Sequence, residues 1–339
     1  MDFWHTIHDA QFGKAGAAVN GLKLKLVVTD QAFGNTIHEQ AAAKAGGAEF
    51  FEYQCQTEHD TCAAVSGAQA VLNNFAPMTR KVLAEMPHGA VVVRYGVGVD
   101  NVDLAAARDF GLRVCNVPDY GVEEVADHAA AFSLSLARKL GRLDTGIRSG
   151  EWRIGAMTGG LRSLRDTTVG LIGMGRIARA YAARMAAFGC RIVGFDPFVT
   201  DEAARAIGIV PLSRDEVIAS AHILSLHLPF SSETRHIIDA TALARLPAGA
   251  IVINCSRGGL IDEDALASAL VKGQISGAGL DVFEKEPLAA TSPLRRAPNV
   301  VMSPHAAFFS DASVNALQRL ASEEALRGLR GDALRCALT

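Results

Sequence analysis

The stretch TVGLIGMGRIA, from Thr168 to Ala178, decides the fold, because a G-x-G-x-x-A pattern directly follows a short apolar run. The run Thr168–Ile172 predicts a buried strand of a parallel sheet. Apolar residues then recur at helical spacing, and Gly189 lies where that helix should end. A strand, a glycine turn and a helix in this order predict the first half of a βαβ unit.

The small residues of this turn have the spacing of a dinucleotide-binding turn. Gly173 permits a tight turn, Gly175 lets backbone approach a pyrophosphate, and Ala178 lets the helix pack closely on the strand. The start of the helix, with Arg176 and Ile177, would then present free N–H groups to the phosphates. The pattern predicts that these residues bind a dinucleotide.

An acid, Asp196, ends the next apolar run, about 20 residues beyond Gly173, where a carboxylate can bind an adenosine ribose diol. The same charge would repel a 2′-phosphate, so the sequence favours NAD over NADP. A glycine-rich turn that binds nothing is the structural alternative. The joint presence of strand, helix and acid makes that alternative the weaker one.

Short apolar runs alternate with helical patterns along the chain, which is typical of parallel α/β folds. Helices are predicted at 36–45, at 125–140 and at 310–329, with a loop at 146–163. Strands are predicted at 22–29, 49–53, 70–73, 90–94, 113–116, 168–172, 191–195, 223–228, 250–254, 277–280 and 300–302.

A chain of 339 residues is long enough for two domains. The glycine turn lies about midway along it, after a complete α/β unit, so the nucleotide domain is predicted to be inserted into another domain. We therefore expect an α/β fold of two Rossmann-like, doubly wound domains with parallel sheets. Residues 118–309 would form the NAD-binding domain, 22–117 plus 310–339 a split, flavodoxin-like substrate domain, and 1–21 an N-terminal extension.

Composition excludes several other classes of protein. A net charge of −3 gives no basic surface for nucleic acid. The six cysteines have irregular spacings that fit neither a disulfide framework nor a zinc site, so no metal is expected. No apolar run is long enough to span a membrane, and the N-terminus lacks the pattern of a signal peptide, so a cytoplasmic location is expected.

Three residues that follow predicted strands have side chains suited to hydride-transfer chemistry. Arg257 follows the strand AIVIN, Glu286 follows GAGL, and His305 follows NVVM. The carboxyl ends of parallel strands meet at one edge of a sheet, so these side chains could converge. An arginine can bind a substrate carboxylate, and a histidine paired with a carboxylate can take or give a hydroxyl proton near neutral pH. Taken singly, they could be a surface arginine, an exposed acid and a structural histidine.

From about Arg94 to Phe309, the chain resembles the D-isomer-specific 2-hydroxyacid dehydrogenase family, most closely its C-terminal binding protein and phosphoglycerate dehydrogenase branch. The motifs that carry the resemblance occur in the family's order. They are Gly96-Val-Gly98-Val-Asp100-Asn101, the glycine turn with Asp196, His227-Leu-Pro229 followed by Thr234, Asn254-Cys-Ser-Arg257-Gly258, Leu280-Asp281-Val-Phe-Glu284-Lys-Glu286-Pro287 and Pro304-His305.

The resemblance implies roles for individual residues. Arg257 would bind the substrate carboxylate and carbonyl, and Glu286 would pair with His305 as the acid/base. Backbone at Val97 and Gly98 would hold the carboxylate. The side chain of Phe308 would be a wall of the substrate pocket or, equally well, part of the core. The cofactor would be NAD, contacted also by His227, Pro229, Thr234, Cys255, Ser256, Asp281 and His305.

The family also implies a homodimer built through the nucleotide domain and a small 2-oxoacid or 2-hydroxyacid substrate. A rival hypothesis is an NAD-sensing, corepressor-like interaction protein, which the intact catalytic set disfavours. Formate dehydrogenase chemistry is disfavoured because that relative has glutamine where Glu286 stands. The side chains that select the substrate are expected near Asn74, Phe75 and Tyr95, and the sequence does not name it.

Overall fold

A computed structural model of the chain describes residues 24–339, apart from the side chains of residues 156 and 157. The predicted N-terminal extension, 1–21, therefore lies outside the described residues. The chain divides into two compact units. Unit 1 contains the described residues up to Arg94, Asn101–Cys115 and Ala321–Thr339, and unit 2 contains Tyr95–Asp100 and Asn116–Leu320. The predicted domain bounds stay a prediction.

Unit 1 contains a parallel sheet of five strands in the order β2-β1-β3-β4-β5. This is the flavodoxin-like order of doubly wound folds. Apolar side chains such as Val27, Leu72 and Val92 are fully buried on the three central strands. The strands are β1 Leu24–Val28, β2 Ala48–Glu52, β3 Ala70–Asn73, β4 Val91–Arg94 and β5 Arg113–Cys115; the helices are α1 Ile37–Ala45, α2 Glu58–Val65, α3 Arg80–Leu83 and α4 Leu104–Asp109.

Unit 2 contains a sheet of seven parallel strands in the order β12-β11-β10-β9-β6-β7-β8. The order reverses on either side of β6, as in the Rossmann fold. The strands are β6 Thr168–Ile172, β7 Arg191–Phe195, β8 Val210–Pro211, β9 Ile223–Leu226, β10 Ala250–Asn254, β11 Ile275–Leu280 and β12 Val300–Met302. The predicted α/β fold with two parallel-sheet domains is confirmed.

The remaining helices begin with α5, which packs buried Ala129 and Phe132 into the core of unit 2. The helix predicted over 125–140 is present, but it ends at Ala137, and Lys139, with a left-handed φ of 53°, separates it from the next helix. The predicted loop 146–163 contains a short helix. The helices are α5 Val122–Ala137, α6 Leu140–Arg148, α7 Ile154–Thr158, α8 Arg176–Ala187, α9 Asp201–Ala206, α10 Arg214–Ser220, α11 Ala240–Arg245, α12 Glu263–Val271 and α13 Asp311–Arg330.

Candidate active site

The glycine turn joins β6 to α8 in unit 2. Gly173 has a φ of +92°, and its N–H donates to the carbonyl of Phe195 at 2.8 Å. A Cβ at Gly173 would lie only 2.4 Å from the carbonyl oxygen of His227, so a side chain does not fit there. At Gly175, the N-cap of α8, a Cβ would meet nothing within 4 Å. This open space at a helix N-terminus fits a phosphate group.

Alanine substitutions at these two glycines should separate folding from ligand binding. Gly173→Ala combines a strained φ with the clash at His227, and it should lower the free energy of unfolding by about 3 kcal/mol. Gly175→Ala should leave stability nearly unchanged, because its methyl group enters open space, yet weaken dinucleotide binding about tenfold by keeping the phosphate off the backbone. Urea unfolding and dinucleotide titration of both variants measure the two effects. Equal stability losses would contradict this reading of the turn.

Asp196 ties the glycine turn to the end of β7. Its Oδ2 accepts the N–H of Met174 at 2.8 Å, and its Oδ1 accepts the N–H of Phe198 at 2.9 Å. Beside it lies a cavity of about 310 Å³, which residues such as Val199 and Leu212 also line. The predicted ribose-binding acid therefore stands at the rim of the turn and also holds its backbone in place.

Glu286 and His305 form an imidazole–carboxylate pair. The Nδ1 atom of His305 lies 2.8 Å from Oε2 of Glu286, while the other carboxylate oxygen accepts the N–H of Phe283 at 3.0 Å. Burial alone would raise the pKa of Glu286. Its pKa is nevertheless below the usual value, because the carboxylate is bonded to His305 and the Phe283 amide and lies near the charges of His305 and Arg257. The carboxylate therefore stays ionised near neutral pH and can accept a hydrogen bond from the imidazole.

The backbone of His305 is held in an unusual conformation. Its φ is 54°, which is the left-handed region, and its N–H donates to the carbonyl of Asp281 at 2.7 Å. The buried Asp281 carboxylate accepts the N–H groups of Ala306 at 2.8 Å and Ala307 at 2.9 Å. Its Oδ1 also accepts the hydroxyl of Ser303. Asp281 therefore fixes the turn that carries the imidazole of His305.

Arg257 follows β10 on a turn that Asn254 organises. The buried Asn254 amide donates to the carbonyl of Arg257 at 2.8 Å and accepts the N–H of Ser256 at 3.0 Å. The guanidinium Nε lies 2.6 Å from Oδ2 of Asp100, and Nη1 donates to the carbonyl of Ser256 at 2.7 Å. A Cβ at Gly98 would lie 1.4 Å from Nη2, so only glycine leaves room for the arginine.

The loops of Arg257 and Glu286 are in direct backbone contact. A Cβ at Gly258 would lie 1.8 Å from the carbonyl carbon of Phe283. The charge of Arg257 contributes to the lowered pKa of Glu286, which in turn contacts His305. The structure thus places two of the predicted catalytic residues, Arg257 and His305, near the carboxylate of the third, Glu286, and the loop of Gly98 lies against the arginine.

The other residues predicted at the cofactor cleft occupy two strand-end loops. Thr234 donates its hydroxyl to the carbonyl of Pro229 at 2.9 Å and so closes the loop after β9. The hydroxyl of Ser256 donates to the carbonyl of Leu226. Burial raises the pKa of Cys255 well above its usual value, so this side chain is an unreactive thiol.

The side chain of His227 packs inward, although the sequence predicts that His227 lines the cofactor cleft. Its Nε2 lies 2.9 Å from the hydroxyl of Ser225, and its ring centroid is 5.3 Å from that of Tyr181. Burial lowers the pKa of His227 to about 3, so the ring is neutral. The backbone carbonyl oxygen of His227 is the atom that excludes a side chain from Gly173.

Two residues predicted to bind substrate lie on loops of unit 2. The carbonyl of Val97 accepts the side-chain amide of Asn116 at 2.6 Å, and Val97 is 45% exposed. The ring of Phe308 meets the ring of Tyr120 edge-on, with centroids 5.9 Å apart. Phe308 is partly exposed and belongs to an aromatic pair, so it is neither fully in the core nor free in solvent.

Sequence reasoning assigned no role to Asp100, the ion-pair partner of Arg257, although the residue lies in a motif that supports the resemblance. The available signal was that Asp100 lies two residues after Gly98, which was itself predicted to bind substrate. Within residues 24–339, no group of three metal-ligating side chains is found. Among the described helices, none has the length and apolar character needed to cross a membrane.

The fold and site define a two-unit α/β protein with a dinucleotide-binding Rossmann unit. Residues 130–307 match the family described as "D-isomer specific 2-hydroxyacid dehydrogenase, NAD binding domain". The chain belongs to this family, and the resemblance seen in the sequence is confirmed.

Individual relatives agree with this assignment. D-3-phosphoglycerate dehydrogenase of Mycobacterium leprae is 41% identical over 244 residues, which cover 72% of this chain and 46% of that protein. The chain thus spans about half the length of the curated relatives it matches.

Solved structures of similar proteins cover more of the chain. The TT0316 protein of Thermus thermophilus is 30% identical with a TM-score of 0.81, and the match covers 93% of this chain and 100% of that one. D-lactate dehydrogenase of Aquifex aeolicus, complexed with NAD and lactic acid, is 25% identical with a TM-score of 0.82, covering 91% and 96%.

Proposed function

We propose that this protein is an NAD-dependent D-2-hydroxyacid dehydrogenase, which interconverts a small 2-oxoacid and the corresponding 2-hydroxyacid. The observation that carries the proposal is the 2.8 Å contact between His305 and Glu286, beside the loop that bears Arg257. Family membership and the dinucleotide turn support it.

Bound NADH would supply the hydride, and the protein's own residues would do the rest. Arg257, held at its Nε by Asp100, would bind the substrate carboxylate with its remaining N–H groups, together with the backbone near Gly98. His305 would give a proton to the carbonyl oxygen as it becomes a hydroxyl, and Glu286 would stabilise the imidazolium before that transfer. In the oxidation direction, the same imidazole would accept the hydroxyl proton.

We propose NAD rather than NADP because the Asp196 carboxylate stands beside the glycine turn. A 2′-phosphate brought next to this carboxylate would meet like-charge repulsion. The other proposed cofactor contacts are those predicted from the sequence. The side chains of His227 and Asp281 also make hydrogen bonds within the protein.

We also propose a homodimer formed through unit 2. Apolar side chains of α6, α7 and the segment between them are exposed, with Trp152 86% and Ile154 82% accessible. Such side chains are typical of a surface that a partner covers. The split substrate domain of 22–117 and 310–339 and a cytoplasmic location stay predictions.

The proposed function is tested with a panel of 2-oxoacids, including glyoxylate, pyruvate, hydroxypyruvate and phenylpyruvate, each with NADH and with NADPH. We expect NADH oxidation with at least one oxoacid, and a kcat/KM for NADPH about tenfold or more lower, because of the charge of Asp196. Tight NADH binding without turnover on any oxoacid would instead favour the NAD-sensing interaction protein. The product's configuration then decides the stereochemical part of the proposal.

A further inference from the structure

A second imidazole–carboxylate pair has its carboxylate on the same loop as the carboxylate of the first pair. Nε2 of His236 is 3.0 Å from Oε1 of Glu284, two residues before Glu286. Like His305, with its φ of 54°, His236 has a left-handed backbone, with a φ of 48°. Strained backbone of this kind persists only where the surroundings enforce it, and it clusters at functional sites.

Glu284 also exchanges hydrogen bonds with Glu263, the first residue of α12. The N–H of Glu263 donates to Oε1 of Glu284 at 3.3 Å, and the N–H of Glu284 donates to Oε1 of Glu263 at 2.6 Å. The N–H of His236 donates to the carbonyl of Gly259 at 2.8 Å. We call His236, Glu263 and Glu284 the carboxylate clasp, because they tie three loops together.

The clasp joins the two loops that carry the proposed catalytic residues. On one side, Gly258 and Glu263 follow Arg257 in the chain, and on the other, Glu284 precedes Glu286. The loops already touch, because Gly258 lies against the backbone of Phe283 and Glu284. A shift of the Glu263–Glu284 bonds would therefore move Arg257 and the Glu286 carboxylate relative to each other.

The clasp also places negative charge near the catalytic pair. Burial raises the pKa of Glu263; the Glu284 amide lowers it, and the charges of Glu284, Asp264 and Glu286 raise it. Glu286 itself faces the imidazole of His305 and the guanidinium of Arg257. His236 can offset the charge of Glu284 only when protonated.

We propose that His236, Glu263 and Glu284 are positioning residues, which fix the Glu286 loop and whose charge sets the pH range in which His305 exchanges its proton. The proposal rests on the proposed dehydrogenase function. These three side chains would act through the Glu286 loop, without touching the reacting atoms themselves.

The charge is tested with Glu284→Gln, which keeps an oxygen acceptor for Glu263 and His236. Removing a negative charge disfavours the imidazolium, so the high-pH midpoint of kcat/KM for oxoacid reduction should fall by about 0.5 pH unit. The imidazole titration of His305, followed by NMR in the full chain without substrate, should shift in the same direction. The control is Asp60→Asn, which alters a carboxylate that also accepts a backbone N–H, that of Thr57 in unit 1, and should leave both midpoints unchanged.

The positioning part is tested with Glu263→Ala, which removes the acceptor of the Glu284 amide. Its kcat should fall about tenfold with an unchanged Kd for NADH, and Glu263→Gln, which restores an acceptor, should recover most of the loss. If Glu263→Ala does not fold, the Glu284→Gln midpoints still test the proposal. A fall in both midpoints supports it, and unchanged midpoints contradict it.

The outcomes separate the two proposals. An NMR shift in Glu284→Gln without turnover by the wild-type protein would leave the clasp standing and overturn the dehydrogenase function. Unmoved midpoints in Glu284→Gln, with kcat of Glu263→Ala falling only as far as its stability falls, would reduce the clasp to a structural contact and overturn this inference.

Discussion

Replacing His305 by glutamine should lower kcat for 2-oxoacid reduction by about 10³-fold, because the amide cannot transfer a proton to the carbonyl oxygen. Glutamine can still donate a hydrogen bond to Glu286, so the loop should stay folded and the Kd for NADH should change little. The expected loss therefore lies in kcat rather than in KM, which is typical of an interaction made in the transition state. Steady-state kinetics and NADH titration of the same preparation measure the two quantities.

The control for this variant is His222→Gln. His222 also binds backbone, since its Nδ1 accepts the N–H of Thr168 at 3.0 Å, but it precedes β9, at the opposite end of the sheet from the loops of Arg257, Glu286 and His305. Its kcat should remain within about twofold of the wild-type value, as for a substitution away from the site. A His305→Gln enzyme that retains a tenth of the wild-type kcat would show that another group, or water, supplies the proton.

Much of unit 2 could be predicted because its signals are local. The run Thr168–Ile172 is a strand, and the glycine turn and α8 follow it as expected. The convergence of Arg257, Glu286 and His305 follows from one rule, that parallel strands end at the same edge of a sheet. Among the strands of unit 2, only β8 was not predicted, because two residues are too few to show a periodic pattern.

The contacts between loops could not be predicted, because they depend on backbone geometry that the residue pattern does not encode. Asp281 was expected to contact NAD, and nothing in the sequence indicated that its carboxylate also accepts two backbone N–H groups of the turn after His305. The ion pair of Arg257 with Asp100 has no recognisable pattern in the sequence. The same is true of the hydrogen bonds between Glu263 and Glu284. Sequence reasoning therefore identified the groups that we propose for the chemistry, and it missed the contacts that hold them in place.

Arg257 should account for most of the affinity for the substrate carboxylate, and Arg257→Gln should lower kcat/KM for a 2-oxoacid at least about 100-fold. Two effects add in this variant. The substrate loses charge-assisted hydrogen bonds, and Asp100 loses the cation that now lies 2.6 Å from it, so its charge is left beside the carboxylate that must bind. Arg257→Lys keeps a charge but not the planar fork, and its loss should be about tenfold.

Arg245→Gln is the matched control, because Arg245 also pairs with an aspartate, its Nη1 lying 2.9 Å from Oδ2 of Asp215, at the surface of unit 2. Its kcat/KM should stay at the wild-type value, since an exposed ion pair contributes about 1 kcal/mol or less to stability. Adding Asp100→Asn to Arg257→Gln should recover part of the affinity by removing the unpaired charge. If the double variant is no better than the single one, the loss comes only from missing hydrogen bonds, and Asp100 serves to orient the guanidinium rather than to balance its charge.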